Sequence, residues 1–330
     1  MDLLILGGTR FAGSYLAEKA LAAGHRVTLL HRGKTNATAV PQAEHLIADR
    51  DGGLAVLGDR RWDAVVDTSG YLPRVVRASV EALKNRVGTY LFVSSISVYA
   101  EPIAAHYNED APVAVLEDPT IEEYLGPAYG GLKALCENVV REVMGERGVI
   151  VRPGLIAGPR DYTDRFAYWV RRVVRGGDVL APGAPDQSVQ FVDARDLAAF
   201  YLHLITHGVR GTCHVTGPAE RLSMRVFLDT VRDTLGSDAR FTWVDETFLL
   251  AEKIAPWSEM PMWLPAAESN LDEADISRAL TAGLELRPVA ETVRATLTYE
   301  QSLGAEGRSG SATLKPEREV ELLAKWRGRS

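Results

Sequence analysis

The residues LLILGGTRFAG at positions 3–13 decide the fold of this 330-residue chain. Four apolar residues pass directly into a glycine-rich turn, and a segment with the helical spacing of apolar residues follows. This order is typical of a Rossmann-type βα unit, in which backbone N–H groups and a helix N-terminus face a pyrophosphate. The contacts predicted for a dinucleotide at this turn are Gly7, Thr9, Arg10, Phe11 and Gly13.

Short apolar runs alternate with segments of helical periodicity through residues 1–215. This alternation predicts an α/β fold, a doubly wound parallel sheet of about seven strands. The predicted strands are residues 3–6, 27–30, 45–48, 64–67, 89–94, 149–153 and 211–215. The predicted helices are residues 13–23, 72–83, 129–144 and 194–204.

Two regions interrupt the alternation and predict a smaller, C-terminal substrate-binding lobe. One is rich in Arg, Gly, Pro and aromatic residues, and the other contains Trp and Pro clusters. We expect a dinucleotide-binding domain of residues 1–158, to which residues 189–215 return. The lobe would comprise residues 159–188 and 216–303. Residues 304–330, which begin with GAEGRSGSA, are predicted to form a flexible link and a surface helix.

Composition indicates a soluble globular protein, since 46% of the residues are hydrophobic and 25% are charged. The net charge of −7 provides no electrostatic reason to expect nucleic-acid or membrane binding. Two cysteines suit a reducing compartment better than a disulfide framework. The start MDLLILGG has no basic segment before its apolar run, so we interpret it as a buried strand and expect a cytoplasmic protein.

The end of the second strand bears on the choice between NAD and NADP. An acidic residue there would bind the ribose hydroxyl groups of NAD, but residues 27–34 read VTLLHRGK and contain no carboxylate. Arg32, with Arg10 and Lys34, could instead hold a 2′-phosphate through charge-assisted hydrogen bonds. The alternative is that Arg32 only ends the strand or stacks on adenine. We expect NADP(H) in preference to NAD(H).

Further cofactor contacts are expected where later strands end. Asp49 could bond the adenine amino group, and it could equally well cap a loop. The segment from Asp67 to Gly70 would line the cofactor through its backbone. The complete set of further contacts, which includes two residues of a later helix, is His31, Arg32, Asp49, Arg50, Asp67, Thr68, Ser69, Ser94, Tyr129, Lys133 and Pro153. No metal is expected, because the seven histidines lack metal-ligand spacing.

Tyr129 and Lys133 stand four residues apart at the start of a predicted helix, a step that places both on one helix face. An ammonium close to a phenol stabilises the phenolate, so Lys133 would help Tyr129 to exchange a proton with a substrate oxygen. Lys133 could also hold the nicotinamide ribose. Ser95, at the end of the fifth strand, could donate to the same oxygen. The alternative is a surface Tyr/Lys pair beside a serine-rich strand end.

Several motifs together resemble the short-chain dehydrogenase/reductases, in particular the extended branch that includes NAD(P)-dependent sugar-nucleotide epimerases and dehydratases. They are GGTRFAG at 7–13, SSISVYA at 94–100, YGGLK at 129–133, RPGLIAGP at 152–159 and QFVDARDLA at 190–198. The resemblance implies Ser95, Tyr129 and Lys133 as catalytic residues and a strand order of 3-2-1-4-5-6-7. It also implies a C-terminal substrate lobe and a homodimer formed through the 129–144 helix.

Arg10 replaces the middle glycine of the usual dinucleotide turn. In this the chain resembles a subgroup with a GGTRFxG turn, which includes chloroplast stem-loop RNA-binding proteins and many bacterial reductase-like proteins. Several of the plant members lack the catalytic Tyr and Lys, whereas this chain has both. The departure bears on NAD specificity and on sugar-nucleotide substrates more than on catalysis.

Polar and aromatic residues border the predicted substrate cleft. The candidate substrate contacts are Tyr99, Arg160, Arg165, Trp169 and Gln190. Arginines there could meet an anionic group such as a diphosphate or a carboxylate. For the nearby Arg171, Arg172 and Arg175 we favour the simpler alternative, the solvated face of an amphipathic helix.

Three functions remain open. The leading hypothesis is an NADP(H)-dependent oxidoreductase that reduces a carbonyl, or oxidises an alcohol, on a small or nucleotide-linked metabolite. The same residues suit an epimerase or dehydratase that returns the hydride to its own substrate. A non-catalytic RNA-binding or scaffold protein is the third, and the acidic charge and the Tyr129–Lys133 pair weigh against it. The expected partner is a small-molecule substrate, with no nucleic acid and no membrane.

Overall fold

The computed structural model describes residues 1–304 and 313–329. The strands are β1 (Asp2–Leu6), β2 (Arg26–His31), β3 (Glu44–Ile47), β4 (Trp62–Asp67), β5 (Val87–Val93), β6 (Gly148–Pro153), β7 (Leu155–Ala157), β8 (Asp178–Pro182), β9 (Phe191–Asp193), β10 (Gly211–Val215) and β11 (Arg240–Val244). The helices are α1 (Phe11–Ala22), α2 (Pro73–Leu83), α3 (Tyr129–Met144), α4 (Arg165–Val174), α5 (Ala194–His207), α6 (Met224–Leu235), α7 (Glu246–Ala251), α8 (Ser277–Thr281), α9 (Val289–Ser302) and α10 (Pro316–Arg327).

The chain divides into two compact units. The first comprises Met1–Gly154, Ala194–Thr216 and Ala274–Glu285. The second comprises Leu155–Asp193, Gly217–Glu273 and the described part of Leu286–Ser330.

A parallel seven-stranded sheet forms the centre of the first unit, in the order β3-β2-β1-β4-β5-β6-β10. This order confirms the predicted α/β fold and the expected succession 3-2-1-4-5-6-7. Leu3 at the centre pairs with Val27 of β2 on one side and with Ala64 of β4 on the other. Every residue from Leu3 to Leu6 is fully buried, because helices cover both faces of a doubly wound sheet.

Helices pack on the sheet in pairs, α1 with α5 and α2 with α3. The apolar stripe of α3 lies on the sheet face formed by Leu4, Leu6 and Phe92, together with residues of α2. The stripe consists of Cys136, Val139, Val140 and Met144. Burial of this stripe leaves the first turn of α3 at the edge of the sheet where the parallel strands end, which is where ligands bind in such folds.

The second unit contains two small parallel sheets, β8 with β11 and β7 with β9. Its core joins residues of α4, α6 and α10 around Trp169 and Trp263, both fully buried.

The division of the chain differs from the expected one at three places. Residues 155–158 and 189–193 belong to the second unit, because β7 pairs with β9 there rather than joining the large sheet. Residues 274–285 return to the first unit, where α8 packs against β10.

The predicted tail helix is present as α10, but it is not a detached surface helix. Leu322 and Leu323 of α10 are buried in the core of the second unit, and Glu319 bonds Arg172 across 2.6 Å. The flexible link predicted at GAEGRSGSA falls mainly on residues 305–312, outside the described residues.

In the described part of the chain, none of the helices has the length and apolar character needed to cross a membrane. Cys136 and Cys213 are both buried free thiols.

Candidate active site

The glycine turn after β1 is shaped by close backbone approaches. Gly7 has φ +103°, and a Cβ there would lie 2.5 Å from Thr68 Oγ1. A Cβ on Gly13 would lie 2.9 Å from the Cα of Gly8. These positions must be glycine for α1 to begin close to the sheet. The first turn of α1 carries no acidic residue, so its N-terminus is suited to an anion such as a pyrophosphate.

Thr68 and Ser69 lie beside the glycine turn, next to Gly7. The Thr68 hydroxyl donates to the Leu6 carbonyl oxygen across 2.9 Å, and the Ser69 hydroxyl donates to the same oxygen across 3.1 Å. Their side chains therefore tie the ends of β1 and β4 together, which leaves backbone groups to face a ligand.

Arg50 and Asp67 form an ion pair with each other. Arg50 donates to both carboxylate oxygens of Asp67, at 2.5 and 2.8 Å, and Tyr90 and Ser79 complete the buried cluster. Burial alone would raise the pKa of Asp67, but Arg50 outweighs it and holds that pKa below its ordinary value. The Arg50 side chain is therefore directed into the protein, so a contact of Arg50 with the cofactor would have to come from its backbone. Asp49 is exposed and accepts the Asp51 N–H across 3.1 Å, so it caps its own loop.

The end of β2 also differs from prediction. His31 is buried, and its two ring nitrogens contact the Gly33 N–H and Nδ1 of His45. This side chain is engaged within the protein, so the predicted contact of His31 with the cofactor is corrected. Arg10, Arg32 and Lys34 are exposed cations around the same loop. These three side chains could therefore hold a 2′-phosphate without a contribution from His31.

Ser95 follows β5 directly and caps a short 3-10 turn, Ile96–Val98. Its hydroxyl oxygen accepts the Ser97 N–H across 3.0 Å. The start of α3 lies against this turn. The approach is so close that a Cβ on Gly130 would overlap the Ser97 carbonyl oxygen. The structure thus brings the serine segment and the first turn of α3 together. Ser94 is buried at the end of the strand, and Pro153 is buried at the end of β6.

Lys133 lies where β4 and β5 end. Its ammonium donates to the Gly70 carbonyl oxygen at 2.8 Å and to the Val93 carbonyl oxygen at 2.6 Å. An ammonium has three donors, so these two bonds leave one for a ligand or for a neighbouring oxygen. Burial lowers the pKa of Lys133 to about 8, because a buried charge loses its hydration. Tyr129, one helical turn earlier, is half-buried.

One tyrosine that was not predicted lies beside this lysine, and a second stacks on the first. The Lys133 ammonium lies 5.4 Å from the centre of the Tyr71 ring, and the Tyr71 ring stacks on Tyr124 at a centroid distance of 5.1 Å. Tyr71 directly follows Gly70, so its position after β4 was the available signal.

A buried charged network supports α3 from the other side. Glu137, one turn after Lys133, accepts two hydrogen bonds from Arg152 at 2.8 and 2.7 Å. Burial alone would raise the pKa of Glu137, and the bonds from Arg152 outweigh it and keep the pKa below its usual range. Arg152 also donates to the Tyr99 hydroxyl at 2.6 Å, and that hydroxyl bonds Nε2 of His214. The four-residue step from Lys133 to Glu137 was a signal that the sequence analysis did not use.

Two predicted substrate contacts are corrected. Tyr99 is only 4% exposed, and its hydroxyl is occupied by Arg152 and His214. Trp169 is fully buried, and its indole N–H donates to the Pro261 carbonyl oxygen at 2.9 Å. Both side chains are core residues of their own units.

The other candidates remain accessible in the second unit. Arg160 and Gln190 are half-buried, and Arg160 has φ +67°, a strained value for a residue with a side chain. The Arg165 guanidinium lies 5.1 Å from the Trp257 ring.

Arg171 and Arg172 are not part of a solvated face, which corrects the interpretation that we favoured for them, whereas Arg175 is exposed as expected. Arg172 is buried beside Glu319. Arg171 bonds Glu300 at 2.8 Å and also pairs with Asp164.

Among residues 1–304 and 313–329, no group of three His, Cys, Asp or Glu side chains is arranged to hold a metal ion.

Residues 3–215 match the model of the NAD dependent epimerase/dehydratase family. The chain is 28% identical over 225 residues to the chloroplast stem-loop binding protein of 41 kDa b from Arabidopsis thaliana, which covers 62% of this chain and 54% of the plant protein. It is 26% identical over 172 residues to a UDP-glucose 4-epimerase of Neisseria meningitidis, with 43% of this chain and 48% of the epimerase covered. The match thus spans about half the length of each of these relatives.

The fold is similar to that of UDP-glucuronic acid 4-epimerase from Bacillus cereus, solved in complex with NAD. The TM-score is 0.68 at 17% identity, and the alignment covers 94% of this chain and 99% of the epimerase.

Proposed function

Because the chain belongs to the NAD-dependent epimerase/dehydratase family, which consists of NAD(P)-dependent enzymes of the extended short-chain dehydrogenase/reductase type, we propose that it is an NADP(H)-dependent oxidoreductase. It would interconvert a carbonyl and an alcohol on a small or nucleotide-linked metabolite. The catalytic residues would be Ser95, Tyr129 and Lys133. The observation that carries the proposal is the buried Lys133 ammonium at the edge where β4 and β5 end, one helical turn after Tyr129.

The chain's own residues would manage the proton. When bound, the nicotinamide cofactor supplies or accepts the hydride. The Tyr129 hydroxyl would give a proton to the substrate oxygen during reduction and take one during oxidation. The Lys133 ammonium favours the phenolate that reduction leaves behind, and Ser95 would donate a hydrogen bond to the same substrate oxygen.

The residues of the first unit fit a dinucleotide. Gly7 and Gly13 allow the tight turn that begins α1 close to the sheet, and the N-terminus of α1 can bind the pyrophosphate. We propose that Arg32, with Arg10 and Lys34, binds a 2′-phosphate, because β2 ends without a carboxylate and these three cations are exposed. The backbone of Thr68 and Ser69 would lie along the cofactor.

The substrate residues of this proposal are Arg160, Arg165 and Gln190 in the second unit. The two arginines suit an anionic substrate group. Tyr124, which is 40% exposed, and Leu125, which is 71% exposed, offer an apolar surface on the segment that leads to Tyr129.

The test compares cofactor binding and turnover. The purified protein is titrated with NADPH and with NADH by nicotinamide fluorescence, and NADPH oxidation is followed at 340 nm with a panel of ketones and aldehydes. We expect exchangeable NADPH, bound more tightly than NADH, and stoichiometric NADPH consumption. Absence of binding to either dinucleotide would overturn the proposal.

A nucleotide-sugar epimerase is the second candidate, and the similarity to UDP-glucose 4-epimerase of Neisseria meningitidis favours it. Such an enzyme returns the hydride to its own substrate. The same residues would act, but the protein would retain NAD(P)⁺ through purification. It would then convert UDP-glucose to its 4-epimer with no net change at 340 nm.

The name of the plant relative favours a third candidate, an RNA-binding protein. That function would require a salt-dependent affinity for a stem-loop RNA, and the Tyr129→Phe variant would keep it fully. The net charge of −7 speaks against it.

We also propose a homodimer through α3. A groove of about 480 Å³ runs along α2 and α3, and its lining includes Leu72, Leu135 and Val139. A second copy of the same two helices would cover it. Light scattering would give twice the chain mass for the dimer, and Leu135→Arg should then give the monomer.

A further inference from the structure

The loop of residues 33–40, which follows β2, is held at three points by hydrogen bonds within the first unit. The Gly33 N–H donates to Nδ1 of His31 across 3.1 Å. Nε2 of His45 lies 3.2 Å from the Val40 carbonyl oxygen. The Thr9 hydroxyl, in the glycine turn, donates to the Thr35 carbonyl oxygen across 2.9 Å. The loop that carries Lys34 is thereby tied both to the sheet and to the glycine turn.

The two histidines form a series of hydrogen bonds in which each donor and each acceptor can be assigned. Nδ1 of His31 accepts the Gly33 N–H, so the ring proton of a neutral His31 is on Nε2. That proton faces Nδ1 of His45 across 2.8 Å, so Nδ1 of His45 accepts it. His45 then carries its own proton on Nε2 and donates it to the Val40 carbonyl oxygen. Each ring therefore holds one proton, and both rings are neutral.

We propose that His31 and His45 are positioning residues for the 2′-phosphate of the cofactor: as a neutral pair they hold the 33–40 loop, and uptake of a proton by either ring releases it. This inference rests on the proposed NADP(H) function. Neither residue need touch the cofactor, because both act through the loop that presents Lys34 and follows Arg32.

Proton uptake must break this series of hydrogen bonds, because no acceptor remains for a second ring proton. A proton on Nδ1 of His31 would face the Gly33 N–H, and a proton on Nδ1 of His45 would face the donor on His31. The two rings meet edge to face with centroids 5.1 Å apart, a distance at which two positive charges repel each other.

The environment of His31 also favours the neutral pair. Burial and the neighbouring His45 lower the pKa of His31 below its ordinary value. Arg10, Arg32 and Lys34, on the segments that adjoin the loop, are all cationic. The acidic Glu44, paired with Arg60, is next to His45 in β3 and therefore points to the opposite face of the sheet.

The sign of the pH effect follows. The unfolded chain takes up a proton on His31 as the pH falls below about 6.5, before the folded protein does. The bonds that hold the loop are thus complete above this value and are lost on acidification. We expect the affinity for NADPH to fall by about fivefold for each hydrogen bond lost, beyond the effect of the 2′-phosphate's own protonation. NADH, which lacks that phosphate, should lose little.

The test begins with ¹⁵N NMR of the imidazole rings of the full-length protein. Both rings should be Nε2–H tautomers at pH 7.5, and the amide exchange of Gly33 should accelerate in step with ring protonation. NADPH and NADH affinities are then compared at pH 7.5 and pH 5.5 for the wild type, for His45→Gln, and for His106→Gln at an exposed control position. We expect His45→Gln, in which only His31 can still take up a proton, to lose part of the NADPH-specific pH dependence, and His106→Gln to keep all of it.

An Nδ1–H tautomer on either ring at pH 7.5 would overturn the proposal, as would a wild-type pH profile in His45→Gln. Failure of the protein to bind any dinucleotide would instead contradict the proposed function. In that case the tautomers and the Gly33 exchange still decide whether the histidine pair holds the loop.

Discussion

The Lys133 ammonium donates a hydrogen bond to the Val93 carbonyl oxygen across 2.6 Å. Val93 is the last residue of β5, and Ser94 and Ser95 follow it. The bond therefore ties the helix that begins with Tyr129 to the strand end that carries the proposed serine. Its cost is the burial of a cation, and that burial lowers the pKa of Lys133 to about 8.

This pKa predicts an alkaline limb in the activity. As the pH rises through about 8, the buried ammonium loses its proton, and the support for a phenolate on Tyr129 is lost with it. We expect kcat/KM of the free enzyme to fall above that pH. Lys133→Arg, which stays charged, should shift the limb to higher pH if it retains activity. A pH–rate profile of the two proteins checks this, and a flat wild-type profile between pH 7 and 10 would contradict it.

Tyr129→Phe should lower kcat by about 10²- to 10⁴-fold, because it removes the hydroxyl that exchanges the proton and leaves the ring in place. The dissociation constant for NADPH should stay within about twofold, since this hydroxyl is not part of the glycine turn. Turnover with the substrate reduced by the wild type, and a fluorescence titration, measure the two quantities. Tyr162→Phe, at an exposed tyrosine, is the matched control.

Gly130→Ala should separate α3 from the serine segment. The new Cβ would overlap the Ser97 backbone oxygen, which cannot move without displacing Ser95. We expect a loss of about 1–3 kcal/mol in the free energy of unfolding, together with a loss of turnover. At Gly131 the atoms nearest to an added Cβ belong to the Leu116 side chain, with Cγ and Cδ2 both at 2.5 Å. That side chain must move, but it can do so more easily than the Ser97 backbone, so Gly131→Ala should cost less than Gly130→Ala. Urea denaturation of both variants tests this, and equal effects would refute it.

Glu137→Gln should destabilise the protein strongly. It leaves Arg152, which is 2% exposed, without its buried counter-charge, at a cost of about 3–5 kcal/mol. Arg141 contacts the same carboxylate from a side chain that is 43% exposed, so Arg141→Gln should cost less than about 1 kcal/mol. Denaturant midpoints separate the two, and comparable midpoints would show that the buried pair contributes no more than the exposed one.

Arg32→Ala should weaken NADPH binding by about tenfold and leave NADH binding unchanged, because the lost contact is to the 2′-phosphate. The effect should shrink at high salt. Arg61→Ala, at an exposed arginine beyond the amino end of β4, serves as the control. Equal losses for NADPH and NADH would place Arg32 on the adenine or the ribose instead.

The sheet could be predicted because its determinants are local. The apolar run from Leu3 to Leu6 and the glycine turn after it define the first βα unit, and each later strand repeats the same short apolar pattern. The strand order came from the resemblance to a known family. The small sheet of β7 and β9 was missed because two three-residue strands carry too few residues for a periodicity.

The errors at the site concern side chains whose partners are distant in sequence. Arg50 finds Asp67 17 residues away, and Tyr99 finds His214 115 residues away. No spacing in the chain shows that such polar groups will satisfy each other in the interior. Tyr129 and Lys133 could be placed together on the first turns of one helix because their relationship is a single helical turn.

The most direct test of the central claim is a crystal structure of the protein soaked with NADP⁺. We predict the dinucleotide at the Gly7–Gly13 turn, with the Tyr129 hydroxyl beside the nicotinamide ring and the third donor of Lys133 directed to the ribose. A dinucleotide bound elsewhere, or a Tyr129 hydroxyl directed away from the ring, would contradict the account.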